Sequence, residues 1–425
     1  MITAAFPSFE SESFRRVARG LIALHKLIEA GKEESADAED VRDALDLRLK
    51  ALSNQEKERA RWLSEDLYSI GMPTLTHTPK ELTYEAQQQL NDFYEARQNH
   101  EWDRALTLLR GCQECLSPAI VSYLRGSIWL EAGSSDVATE FYKHASESQP
   151  TNANFKAIYF HSLSKSDPKA AILLAAEVLA DPEKHAPVVV ARAADIRFQE
   201  ARSTADAMSG RMDRELIPVL ERNLARLEAD VSLSSRLSAY AMTVGLIGFC
   251  NQSLGNSQAA IQTYTRGLRL MPDHEGLLVA RGIQQYGESP QAISDLEKAV
   301  RLGSPAVWPY LFLAHHYLTS GRFEECQMMC ENGLKRQASN RTMSQLQEWQ
   351  AISQAELGFP THLVRVSFET ATQLDPSNET AQRNFDAFEE SLTSRHTIPR
   401  SQWQQKTAAM VRVFGLAERL YASVA

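Results

Sequence analysis

Two cysteine pairs and one pair of adjacent histidines are the residues whose types and spacing could do chemistry in this chain. Cys112-x-x-Cys115 has the spacing of half a zinc or redox site, where two thiolates share one ion or one disulfide. No second CxxC and no suitable histidine pair stands at a matching distance along the sequence. Cys326 and Cys330, at i and i+4, share one face of a helix and could reach one metal from it. His315 and His316 cannot, because adjacent helical side chains diverge by about 100°. The sequence carries no GxxxxGK[ST] phosphate loop, no GxGxxG after a strand, no HExxH and no GxSxG. Its 54 carboxylates offer pairs everywhere, and on exposed helix faces such pairs are solvent contacts. The expectation is a non-enzymatic chain with no catalytic residues, no metal and no cofactor.

The elements that would position any site are constrained by composition. At about 150 residues per domain, 425 residues suggest two or three domains. With 19 glycines and 16 prolines, turn formers are scarce, which disfavours an all-β chain and long flexible linkers. The net charge of -9 argues against a nucleic-acid footprint, which must be basic. Met1 to Arg16 contains Glu10 and Glu12 and no apolar run, unlike a signal peptide. The longest nearly apolar stretch, Ala239 to Cys250, is too short to cross a bilayer, so no membrane partner is expected. Five cysteines (Cys112, Cys115, Cys250, Cys326, Cys330) without framework spacing suit reduced thiols and a cytoplasmic location.

The chain has an internal period. Gly126, Gly133, Ala138, Tyr142 and Pro150 recur in step as Gly248, Gly255, Ala260, Tyr264 and Pro272. This spacing resembles the tetratricopeptide repeat (TPR) family, whose unit of about 34 residues is an antiparallel helix pair. Small residues let the two helices approach, the aromatic fills the gap between repeats, and proline follows the second helix, which it cannot continue. The register extends to 86–118 with Trp102, Ala105 and Leu109, and to 119–152, where Trp129 and Ala145 join it. It continues at 153–182 with Ala170, Leu174 and Pro182, at 275–304 with Ala292, Leu296 and Ala299, at 307–340 and at 345–378. In two of these copies the turn shortens, with Asp167-Pro168 and Ser289-Pro290 as cap and first helical residue. Cys326 and Cys330 fall on core positions of a repeat, so packing accounts for them.

The resemblance implies an all-α, right-handed α-solenoid of about seven TPR or TPR-like repeats with helical caps. Its divisions are 1–80, an N-terminal helical cap; 86–182, repeats; 183–240, a degenerate helical pair or hinge; 241–378, repeats; and 379–425, C-terminal capping helices. Within 183–240 two helices are predicted over 187–208 and 212–230, with Ser209-Gly210 between them. Helices are also predicted over 11–30 and before Leu52, and from the capping box at Ser53 to about Ile70, ahead of Gly71 and Pro73. Another should cover 379–392, and Ser401 to Gln404 after Pro399 reads as a capping box opening a last helix with Trp403, Val411, Phe414, Leu420 and Tyr421.

In this family the first helix of each repeat lines a concave groove that receives a peptide or partner helix. The inward positions implied here are Tyr94, Tyr123, Ser127, Leu130, Ala157, His161, Phe249, Val279, Ile283, Leu311, His315 and Trp349. The groove they outline is apolar and aromatic, suited to an extended hydrophobic segment or amphipathic helix. No adjacent repeats carry the Lys, Asn and Arg set with which some chaperone-binding members grip a carboxylate. The function read from the sequence is therefore a cytoplasmic interaction scaffold or adaptor for a protein or peptide partner whose identity the sequence leaves open. One alternative is a structural subunit self-associating through its C-terminal helix. The other is an effector or enzyme-associated subunit acting through the N-terminal helices. The groove positions could also be covered by neighbouring helices or by the chain's own tail.

Overall fold

A computed structural model describes residues 11–71, 79–203, 206–229, 236–394 and 403–422. They divide into two compact units, Met1–Ile196 and Arg197–Ala425, and no strand occurs among the described residues.

The first unit contains α1 (Glu12–Glu29), α2 (Ala36–Leu49), α3 (Asn54–Gly71), α4 (Tyr84–Gln98), α5 (Trp102–Cys112), α6 (Pro118–Glu131), α7 (Ser135–Ser148), α8 (Ala153–Ser166) and α9 (Pro168–Ala180). The division between the units falls inside α10 (Pro187–Ser203). Local sequence sets the helix ends. Ser53 and Glu56 exchange backbone hydrogen bonds at α3, Ser53 N–H to Glu56 Oε2 at 2.9 Å and Glu56 N–H to Ser53 Oγ at 3.3 Å, the reciprocal pair that the capping box predicts. Asp167 Oδ1 accepts from Ala170 N–H at 3.1 Å, and Pro168 opens α9 where its missing N–H costs nothing.

The helices α4–α5, α6–α7 and α8–α9 pack as antiparallel neighbours. The N-terminal helices pack against both helices of the α6–α7 pair and against α5. Phe14 of α1 stacks on Trp129 with ring centroids 6.1 Å apart, and α1 also contacts α7. Arg59 of α3 meets Asp103 of α5 at 2.7 Å. On α1, Phe14, Val17, Ala18, Ile22 and His25 are buried, while Leu21, Leu24, Leu27 and Ile28 are half-buried.

The second unit contains α11 (Asp206–Ala229), α12 (Leu237–Ser253), α13 (Ser257–Leu270), α14 (Glu275–Gln284), α15 (Pro290–Arg301), α16 (Trp308–Thr319), α17 (Phe323–Gly333), α18 (Asn340–Glu356), α19 (Thr361–Leu374), α20 (Glu379–Ser394) and α21 (Ala408–Ala422). Each first helix from α12 to α18 packs on its partner, each second helix packs on the next first helix, and successive first helices α12, α14, α16, α18 and α20 touch in turn. Stacking of this kind buries a continuous core from purely local contacts.

The register residues make the contacts expected of them. A Cβ on Gly126 would come within 2.8 Å of the Tyr142 ring, and one on Gly248 within 2.1 Å of the Tyr264 ring. Both distances lie inside van der Waals contact, so the tyrosine of the second helix occupies the space a side chain would need.

Two expectations are corrected. Gly210 lies inside α11, not between two helices, because α10 ends at Ser203 and α11 begins at Asp206. A helical glycine costs about 1 kcal/mol, and α11 offsets this by burying Leu216, Leu220, Leu224 and Leu227. The last helix begins at Ala408, capped by Thr407 Oγ1 on Met410 N–H at 3.2 Å, whereas Trp403 to Thr407 are not helical. Pro73, Pro399, Ser401 and the side chains of Ser209, Leu420 and Tyr421 lie outside the described residues.

Candidate functional site: a groove holding the chain's own tail

The first helices α14, α16 and α18, with α20, form one face of the second unit, and residues 403–417 lie along it. The tail runs backward through the array, from α20 at Gln404 to the turn after α14 at Arg412. Its contacts are specific at both the backbone and the side chains.

Trp403 is buried, stacks on Phe368 at 6.2 Å, and donates its indole N–H to Glu356 Oε1 at 2.8 Å. Asn384, 1% exposed, reads the next residue's backbone with both ends of its amide. Its Oδ1 accepts from Gln404 N–H at 2.8 Å and its Nδ2 donates to Gln404 C=O at 3.0 Å. This bidentate pairing recognises an extended main chain whatever its side chain. It also occupies the Gln404 carbonyl, which a helix starting at 402 would have used internally.

Lys406 is held twice. His315 Nε2 lies 2.6 Å from the Lys406 carbonyl, and Lys406 Nζ contacts Gln345 Oε1. A carbonyl only accepts, so His315 Nε2 carries the proton and Nδ1 accepts from Tyr286 O–H at 2.7 Å. His315 is 2% exposed, and burial pulls its pKa down to about 4. Burial also lowers the Lys406 ammonium and raises Glu348, each opposed by the other's charge. Glu348 accepts from Gln345, Asn378, Thr380 and Asn384 at 2.8–3.1 Å. Those four donors leave its charge to be balanced by Lys406.

The helical part of the tail fits by shape. Val411 is buried, and Gly415 meets Phe312 so closely that a Cβ there would sit 2.4 Å from the ring. Ala408 lies against Gly287, where a Cβ on the glycine would approach to 2.7 Å. Arg412 pairs with Glu288, and Phe414 lies beneath Arg341 at 5.1 Å. The outer face of α21 shows Met410 and Val413 to solvent, 55% and 66% exposed.

The structure brings together two of the sequence-predicted groove residues, His315 and Trp349, whose rings lie 5.3 Å apart. Tyr286 T-stacks on Phe312 at 4.8 Å beside them. Val279, Ile283, Leu311 and Trp349 are buried, and Phe249 is half-buried between Phe198 and Tyr264. In the first unit Tyr94 is 44% exposed and Tyr123 sits between Tyr142 and Phe155. Ser127 accepts from Tyr142 O–H at 3.2 Å, Ala157 is buried, and Leu130 and His161 are half-buried. Burial, with Arg192 nearby, lowers His161 to about 4.

Tyr286, Gln345, Glu348, Glu356 and Asn384 escaped the sequence reading. Gln345 and Trp349 do share a helix face at i, i+4, with Glu348 beside them, so polar residues flanking a groove aromatic were the available signal. The cysteines are all free thiols: Cys112, Cys250, Cys326 and Cys330 are buried and Cys115 half-buried. Among the described residues no three His, Cys, Asp or Glu side chains cluster as metal ligands, and no helix is long and apolar enough to cross a membrane.

No protein-family model matches the chain, and no curated protein matches it. Solved structures similar to it include the C-terminal part of a TPR repeat-containing protein from Cytophaga hutchinsonii, at 13% identity over 68% of this chain and 97% of that one, TM-score 0.30. A Rap protein complexed with competence and sporulation factor is 14% identical over 96% and 99%, TM-score 0.31. Yeast Tom70 is 11% identical over 80% and 96%, TM-score 0.23. The Gly–Tyr register recurs from Gly126–Tyr142 to Gly248–Tyr264, and the helices of each unit stack pair on pair. By those contacts the described residues are all-α, and each unit is of the α-solenoid type, built from TPR-like antiparallel helix pairs.

Proposed function

We propose that this protein is a non-enzymatic, cytoplasmic protein–protein interaction scaffold whose second unit receives a peptide segment on its first helices. One observation carries the reading: Asn384 pairs with both the N–H and the C=O of Gln404. A buried amide aimed at an extended main chain is a device for holding a segment from elsewhere. Helix pairs α12 to α19 already pack on one another without it. The occupant in this structure is the chain's own tail.

The reading is tested by making the tail separable. A specific protease site is inserted between residues 397 and 398 of the full chain, and the cleaved protein is passed over a sizing column at micromolar concentration. The 398–425 segment should co-elute with the body and then exchange for an excess of rhodamine-labelled peptide 401–422, with helicity retained. Collapse of the helical signal once the segment leaves would make the tail a structural cap and overturn the reading.

A further inference from the structure

We infer that the groove of α14, α16, α18 and α20 selects partner segments of one chemistry: a large aromatic residue, a lysine three positions later, then a helix with small residues on its inner face. The inference rests on the groove reading above and adds the specificity. Each selective position is met by a matching feature. The aromatic enters a slot between the Phe368 ring and the Glu356 carboxylate, which favours an indole whose N–H can donate. The lysine position faces Gln345 and lies close enough to Glu348 for each charge to oppose the other's burial. A neutral or acidic residue there would leave Glu348 buried without its counter-charge, an expensive arrangement. Five positions after the aromatic, alanine lies on Gly287. Eight positions after it, an aliphatic residue is buried, as Val411 is.

Twelve positions after the aromatic, only glycine clears Phe312. By contrast, the backbone at 404 and 406 is read by Asn384 and His315 without regard to side chain. Positions 410 and 413 face solvent and are free to vary. The tail is thus an internal copy of the ligand, and a partner carrying the same pattern must displace it.

The test keeps the full chain and dislodges its tail by substitution. Gly415→Leu collides with Phe312 and should expose Lys406 to trypsin while far-UV circular dichroism stays unchanged; Ala408→Glu, against Gly287, is the second variant should the first misfold. Rhodamine-labelled peptide 401–422 is then titrated in and followed by fluorescence anisotropy. The peptide of native sequence should bind. Peptides with Trp403→Ala or Lys406→Glu should bind at least tenfold more weakly, and the Val413→Ser peptide should bind equally. Equal binding of all four peptides would overturn the specificity and leave the groove reading standing. Failure of the native peptide to bind either variant would overturn both. If neither variant exposes Lys406 with helicity intact, the tail is fixed core and the inference falls.

Discussion

Acid should release the tail, and His315 supplies the force. In the docked state the imidazole is neutral, donating from Nε2 to the Lys406 carbonyl and accepting at Nδ1 from Tyr286. Burial holds its pKa at about 4 against an ordinary value of 6.5. A depressed pKa means that its contribution to docking is complete above about pH 6.5 and is lost as pH falls through about 4. Taking the ordinary 6.5 for the undocked imidazole, the loss is at most roughly 2 kcal/mol at pH 5 and roughly 3 kcal/mol at its limit. At 1.4 kcal/mol per decade, that is about a 30-fold weaker affinity at pH 5 than at pH 7.5. Glu348, which burial raises and the Lys406 charge lowers, also titrates beside the tail. The control must therefore remove only the imidazole. His315→Gln retains an N–H for the Lys406 carbonyl and has nothing to titrate. The assay is anisotropy of rhodamine-labelled peptide 401–422 on the Gly415→Leu chain, with and without His315→Gln, at pH 7.5 and 5. The His315 chain should lose about 30-fold and the His315→Gln chain only a small part of that. Equal pH dependence in the two would refute the assignment of His315 as the acid-sensitive contact.

Three further outcomes probe the framework. Gly248→Ala places a methyl 2.1 Å from the Tyr264 ring, and overpacking should cost about 1–3 kcal/mol; an unchanged melting temperature would show that the helix pair tolerates the volume. Asp213, fully buried, takes both 2.7 Å hydrogen bonds from Arg202. Asp213→Ala removes the buried carboxylate opposite that guanidinium and should destabilise the second unit by about 3–5 kcal/mol, read by calorimetry; a loss confined to a few tenths would mean the arginine reaches water. Ser53→Ala removes the α3 cap and should cost about 1 kcal/mol, seen as faster amide exchange in the first turn of α3. Protection equal to that of the Ser53 chain would show the cap to be idle.

What could be read from the sequence was whatever neighbouring residues decide. The Gly–Tyr register, the shortened Asp167-Pro168 and Ser289-Pro290 turns and the Ser53 capping box each depend on contacts within one helix pair or one turn, so spacing alone locates them. The side of α1 that becomes buried is chosen by packing on Trp129 and α7, far along the chain, and so has no local signal. Gly210 misled for a related reason: a breaker signal is local, while the leucines that keep α11 helical through it are buried by tertiary packing.

The sequence by itself determined that this chain is a stack of helix pairs whose first helices carry His315 and Trp349. Only the tertiary structure decided that the tail lies on them. His315 and Lys406 are separated by 91 positions, and no period links them. Their meeting depends on where the array's face ends up and on which buried amides and carboxylates it offers. A backbone-reading asparagine looks like any other helix residue until an extended segment lies against it.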